Sequence, residues 1–215
     1  MKRREPVAFT LIEMLVVIGI ILVLGSILLP ALFKAKEWGK AARCASNLRQ
    51  LQIATMNYVS DNGGYPAASS YASQDAQGQW WHTRGWISWT NSTGPFPSQP
   101  SGPYSWRGAI GVACITNGTL WPYAGHQDIY LCPTFAEKSV CGQTDAVRSY
   151  AMNTNVNAAS FFRTNSPDTA VHTVLYGDDG GLPAQIDPQF GTNEVATWHS
   201  GKGQVVFLDG HVEKW

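Results

Sequence analysis

The chain has 215 residues, with 15 lysines and arginines against 15 aspartates and glutamates. That balance excludes the broad basic footprint of a nucleic-acid binder. Once a short leader and one apolar helix are set aside, the length leaves room for one domain of ordinary size. Low charge density and abundant Gly, Ser, Thr, Asn and Trp beyond about Lys34 suit a β-rich or loop-rich extracellular surface.

The first element is a basic leader, Met1-Lys2-Arg3-Arg4-Glu5-Pro6-Val7-Ala8. Its Lys2-Arg3-Arg4 cluster favours a cytoplasmic leader, which puts the chain after about Lys34 outside the cytoplasm. From Met14 to Phe33 there is no ionisable side chain. At about 1.5 Å per residue this helix reaches roughly 30 Å, the depth of a bilayer's hydrocarbon core. Glu13 stands at its head, and a carboxylate there is expensive enough to count as a functional hypothesis. A cleaved secretory signal would carry its small-residue cleavage site after the apolar run, where Lys34-Ala35-Lys36-Glu37 stands instead. Gly19 and Gly25 permit close helix approach, and Pro30 removes one backbone hydrogen bond.

This N-terminus resembles the type IV prepilin signal shared by pilins and type II secretion pseudopilins. The basic leader, Ala8 and Phe9-Thr10-Leu11-Ile12-Glu13 carry the resemblance. It implies cleavage between Ala8 and Phe9 by a membrane-embedded prepilin peptidase and methylation of the new Phe9 amino terminus. Ala8 stands where the family usually has Gly, and is small enough for the peptidase. Glu13 becomes the fifth residue of the mature chain. A carboxylate that is costly alone in lipid is neutralised by a neighbouring subunit's amino terminus, which fixes axial register as a buried polar group does in a coiled coil. The implied partners are the peptidase, copies of this chain, other pilin-like subunits and the inner membrane, with no nucleic acid. The implied location is a single-pass precursor in the cytoplasmic membrane, then a periplasmic or cell-surface filament.

Past Phe33 the pattern turns amphipathic. Trp38, Ala41, Ala45, Leu48, Leu51, Thr55 and Tyr58 recur at three- and four-residue steps, with Lys36, Arg43, Asn47, Arg49 and Gln50 on other faces. Asn62-Gly63-Gly64 followed by Pro66 is a helix stop, so one helix is expected from about Thr10 to about Asp61. From Gly64 to about Pro103 periodicity fails, and the segment reads as a loop carrying Trp80, Trp81, Trp86, Trp89 and Phe96. Those aromatics either fill a small core, the favoured reading, or form a platform for sugar or another filament's surface.

Cys44, Cys114, Cys132 and Cys141 are an even set, which in an exported domain favours disulfides. Cys132 and Cys141 are near enough in sequence to close a small loop, which would leave Cys44 with Cys114, and all three connectivities stay open. Paired Cys-x-x-Cys spacing is absent, which speaks against zinc. Further on, Ala170 to Tyr176 reads as a strand ending in Asp178-Asp179-Gly180-Gly181. Gln204–Leu208 and His211–Trp215 read as a hairpin joined by Asp209-Gly210, both in positive φ, with Leu208 facing His211.

A second resemblance lies in Tyr130-Leu131-Cys132-Pro133, Ser149-Tyr150-Ala151-Met152-Asn153, Tyr176-Gly177-Asp178, and His199 with Asp209-Gly210. These are similar to a C-terminal domain found with prepilin leaders and marked by His-x9-Asp-Gly. For His199 three readings stand beside one another. It could join His211 and one of Asp178, Asp179 or Asp209 in a hydrolytic or metal site, although no nucleophile motif or helical His pair supports this. Oxygen-rich turns at Asp178-Asp179-Gly180 or Asn193-Glu194 could hold structural Ca²⁺, as in some pseudopilins whose ligand loop is not matched here. The favoured reading has His199 hydrogen-bonding a turn and tethering the last hairpin, with no metal and no catalytic residue.

The expected fold is α+β and pilin-like, a long N-terminal helix packed on a small antiparallel sheet domain with long loops. Residues 1–8 are the leader, 9–33 the transmembrane and assembly half of the helix, 34–62 its amphipathic half, and 63–215 the globular domain. The expected role is a structural prepilin or pseudopilin subunit and not an enzyme. The competing role is a membrane-anchored, non-polymeric surface- or carbohydrate-binding protein using the Trp-rich loop.

Overall fold

A computed structural model describes residues 10–68, 71–74, 80–88, 108–138, 145–153, 155–156, 167–178, 189–190 and 195–215. Helix α1 spans Leu11–Asn62, within a residue of the predicted limits, and runs through Pro30. Its start is a reciprocal cap. The backbone N–H and hydroxyl of Thr10 donate to Glu13 Oε2 at 2.8 and 2.7 Å, and the Glu13 N–H donates back to Thr10 Oγ1 at 3.3 Å. Glu13 therefore has a task within its own chain that the pattern of charges did not reveal. At the other end Gly63 takes φ 73° and its N–H closes onto the Val59 carbonyl, the left-handed stop signalled by Asn62-Gly63-Gly64.

The chain divides into two compact units, Met1–Gly39 and Lys40–Trp215. In the first, every described residue from Thr10 to Phe33 except Gly25 is exposed. In the second, the remainder of α1 buries Ala41, Cys44, Asn47, Leu48, Leu51, Gln52, Ala54 and Thr55. This contains Ala41, Leu48, Leu51 and Thr55 of the predicted stripe, whereas Ala45 and Tyr58 are only half-buried. Trp38 is 71 % exposed and lies in the first unit. Asn47 is buried because its amide donates to the carbonyls of Asp128 and Leu131, at 3.2 and 3.0 Å. Such bonds let a polar side chain occupy a core position.

Between the helix and the main sheet come β1 (Tyr71–Gln74) and β2 (Trp80–Thr83), an antiparallel pair where a structureless loop was expected. Short helices follow: α2 (Gly108–Thr116), α3 (Trp121–Ala124), a 3-10 turn (Gln127–Tyr130) and α4 (Pro133–Lys138). The remaining elements are β3 (Tyr150–Asn153), α5 (Pro167–His172), β4 (Val174–Asp178), β5 (Gln189–Phe190), β6 (Gln204–Phe207) and β7 (Val212–Lys214). The sheet order is β5-β3-β4-β6-β7, antiparallel throughout except for the two-residue edge strand β5, which runs parallel to β3. The expected strand from Ala170 begins at Val174; Ala170 to His172 belong to α5, which Pro167 opens at the first helical position.

The last hairpin also differs from expectation. Only Gly210 has positive φ, at 91°, and the Phe207 N–H bonds the His211 carbonyl while the Gly210 N–H bonds Phe207. This is a three-residue loop with glycine in the left-handed position. His211 thus stacks on Phe207, ring centroids 4.1 Å apart, and not on Leu208. The Leu208 carbonyl accepts from Gln52 Nε2 at 2.8 Å, joining the loop to α1. Asp209 turns its carboxylate onto the His211 N–H and ring.

The core gathers Leu48 and Leu51 of α1 with Trp86, Tyr130, Tyr150, Tyr176 and Val206. Trp86 is fully buried, stacked on Tyr130 and tilted against Tyr176 at centroid distances of 5.8 and 4.9 Å. That is the core-filling role favoured for the tryptophans. Trp89 and Phe96 lie outside the described residues, as do the side chains of Trp80 and Trp81.

Candidate functional site

Four segments converge on one buried point. Cys44 lies one helical turn before Leu48 on the buried face of α1. Cys132 sits between the 3-10 turn and α4, its N–H donated to Ser149 Oγ at 2.7 Å. Asp178 ends β4, where it is in register with Tyr150, and accepts the Gln204 N–H at 2.9 Å. His199 precedes a two-residue turn in which Ser200 and Gly201 have φ of 55° and 84°. The backbones of His199 and Lys202 bond reciprocally across that turn. The positive-φ pair expected at Asp209-Gly210 is therefore found here, nine residues earlier. The nine residues between His199 and Asp209 comprise this turn and β6, which pairs with the strand bearing Asp178.

The ligand atoms of Cys44, Cys132, Asp178 and His199 all lie within 4.8 Å of one another. Cys44 Sγ is 3.6 and 3.8 Å from the two Asp178 oxygens, and Cys132 Sγ is 3.3 Å from His199 Nε2. His199 Nε2 is 3.7 Å from Asp178 Oδ2. The other ring nitrogen, Nδ1, is held by Thr134 Oγ1 at 3.2 Å, so Nε2 is the nitrogen presented to the cluster. Tyr150 donates its hydroxyl to Cys44 Sγ at 3.2 Å.

Burial sets the electrostatics. Asp178 is pushed well above the usual carboxylate range by desolvation, with the neighbouring Cys132 adding to it and the Gln204 N–H opposing. Burial likewise raises the Cys44 thiol, Asp178 and Cys132 contributing. Cys132 is drawn down to about 5 by the hydrogen bond from Cys44, against the effect of burial, with His199 and the Phe135 N–H assisting. Of the two facing thiols, Cys132 is the one drawn down and Cys44 the one pushed up. A thiolate beside an imidazole is also the arrangement of a cysteine nucleophile and its base. All four side chains are buried, however, which keeps a substrate away from Cys132. The residue types are those that hold a borderline-soft divalent metal.

Cys44, Cys114 and Cys132 are free thiols, so the pairing of Cys44 with Cys114 is not formed. Cys44 faces Cys132 and Asp178 instead. Cys114 belongs to the core, its thiol raised by burial and partly offset by the charge of Arg148, itself fully buried. His199 does not meet His211, whose ring lies on Phe207 and Asp209. Its backbone closes a turn, as favoured, but its ring serves the cluster and not the last hairpin. Asp209 and Gly210 are turn residues. Ala8 and Phe9 of the expected cleavage site, Cys141, and Asp179, Gly180, Asn193 and Glu194 of the expected turns lie outside the described residues.

Each of the four cluster residues was noted in the sequence, and His199 was set beside Asp178 in one metal-site reading, but neither was joined to Cys44 or Cys132. Their one shared signal, a donor-type side chain inside an otherwise apolar or turn segment, is common to many positions. Glu13, by contrast, is recognisable from local sequence, and it heads the one helix, among the described residues, that is long and apolar enough to cross a membrane. Comparison with family models, with curated proteins and with solved structures finds no match to this chain.

Proposed function

We propose that this chain is a pilin-like structural subunit, anchored in the inner membrane by the first part of α1 and assembled through it into a pilus or type II secretion pseudopilus. In this reading prepilin peptidase cuts between Ala8 and Phe9, the Phe9 amine is methylated, and the domain from Lys40 lies outside the cytoplasm. The chain acts as building material and not as an enzyme.

The observation that carries the proposal is the exposure of the apolar run. The most apolar 18-residue stretch of α1 has none of its residues buried, unlike the core helix of a soluble protein. An exposed face of this size needs lipid or other apolar helices against it. The domain beginning at Lys40 has its own core, and Trp86 is within that core and unavailable as a binding platform.

The Thr10–Glu13 cap gives the test its control. Gln serves as well as Glu in such a cap, so Glu13→Gln keeps the helix start and removes only the charge. Electron microscopy of filaments sheared from cells should find them with wild-type protein and at least tenfold fewer with Glu13→Gln, at equal membrane levels. Equal filament numbers in the two strains would exclude Glu13 as the register-setting charge.

A further inference from the structure

We propose that Cys44, Cys132, Asp178 and His199 form a closed zinc site that fastens α1 to the sheet of the C-terminal domain. The inference stands apart from the assembly reading, since it concerns only the unit from Lys40 onward.

Geometry is the first argument. Zinc is bound at about 2.3 Å by thiolate and at about 2.0–2.2 Å by imidazole or carboxylate, almost always tetrahedrally in structural sites. The edges of such a tetrahedron are then roughly 3.3–3.8 Å long. The cluster's separations of 3.3 Å (Cys132 to His199), 3.6 Å (Cys44 to Asp178) and 3.7 Å (His199 to Asp178) fall in that range. Four protein donors leave no open position, and this is the mark of a structural rather than a catalytic centre.

Donor chemistry is the second. Two sulfurs, an imidazole and one carboxylate suit zinc far better than calcium or magnesium, which take oxygen. Asp178, a residue of the expected Ca²⁺ turn, faces two thiols and a histidine. Binding a divalent cation would displace the protons of these donors, and two thiolates with one carboxylate around it would leave a single net negative charge in the buried place.

The surroundings are the third. Metal-bound histidines hold their second ring nitrogen on a fixed partner, and Thr134 holds Nδ1 of His199. Tyr150 donates to Cys44, Gln204 to Asp178, and the Phe135 N–H to Cys132. Each of the four side chains thus has a second partner directing it at the common centre. Those partners come from β3, β6 and α4, so the site binds α1 to most of the domain.

The test uses the full-length chain in detergent. Metal analysis of the purified protein should give about one zinc per chain, kept in Cys114→Ser and lost in Cys132→Ser and His199→Gln. Thr134→Ala should weaken zinc binding about 10- to 100-fold, with Thr134→Ser restoring it. Because ligand variants can fail to fold, wild-type protein stripped of metal under reducing conditions provides the second arm. Added Zn²⁺ should raise its unfolding midpoint, and added Co²⁺ should produce thiolate charge-transfer absorption with the intense visible bands of tetrahedral coordination. A reduced, stripped chain that takes up neither metal would overturn the proposal. So would peptide mapping that finds Cys44 and Cys132 joined as a disulfide in the isolated protein.

Discussion

Replacing Trp86 with alanine should destabilise the domain by about 3–5 kcal/mol, the range for truncating a large buried aromatic. The indole is fully buried between Tyr130 and Tyr176, and its backbone passes so close to Gly118 that a Cβ there would meet the Trp86 carbonyl. Loss of the ring removes two aromatic contacts as well as apolar area, and the surrounding chain has little freedom to close the void. Trp38→Ala, at a position 71 % exposed, should change stability by less than about 0.5 kcal/mol. Urea unfolding of the full-length chain, followed by near-ultraviolet circular dichroism, separates the two. With a slope of about 1–3 kcal/mol per molar urea, the Trp86 midpoint should fall by 1 M or more. A sugar-binding platform would give the opposite pattern, unchanged unfolding with lost ligand. Unaltered stability of Trp86→Ala would therefore return the tryptophan segment to a binding role.

Leu51→Ala should be the second large effect, about 2–5 kcal/mol. Leu51 is fully buried in the core that α1 shares with the sheet, and next to it Gln52 fixes the Leu208 carbonyl. Two residues on, Ile53 is 55 % exposed, and Ile53→Ala should lie within about 0.5 kcal/mol of wild type. The pair tests which face of the helix the domain uses, since 100° per residue puts positions 51 and 53 on opposed sides. Similar losses for both would mean that α1 is rotated from the arrangement described. The comparison is internal to one helix, so shared effects on expression or detergent binding cancel.

How much of this was legible in the sequence depended on the range of the interaction. The limits of α1 follow from local patterns, the head of the apolar run and an Asn-Gly-Gly stop, and the structure places them within a residue, although the Thr10–Glu13 cap was not foreseen. Its buried face was legible in part: Leu48, Leu51 and Thr55 follow helical spacing, whereas Asn47 and Gln52 are buried through partners far along the chain. β3 and β6 are buried along their full length, so the apolar-polar alternation of a half-exposed strand is missing. The short helices between Gly108 and Lys138 are too brief for periodicity to declare them. Both Ser200-Gly201 and Asp209-Gly210 end in glycine, yet only the first is the two-residue turn, because β6 and its register decide where each hairpin closes. The four-residue cluster was the least legible feature. Its members come from α1, the residue just before α4, the end of β4 and a turn, and nothing in their spacing announces that the fold brings them together.

The proposal that processing trims the leader from the greasy first stretch of α1, which is then used for assembly, makes a chemical prediction about the chain's first residue. Mass spectrometry of the protein isolated from the membranes of its native cells reads that residue directly. The account predicts an N-terminal peptide beginning at Phe9 and bearing a single added methyl group, with Glu13 unmodified five positions in. A peptide beginning at Met1, or a mature chain cut after Phe33 and lacking the apolar stretch, would contradict it.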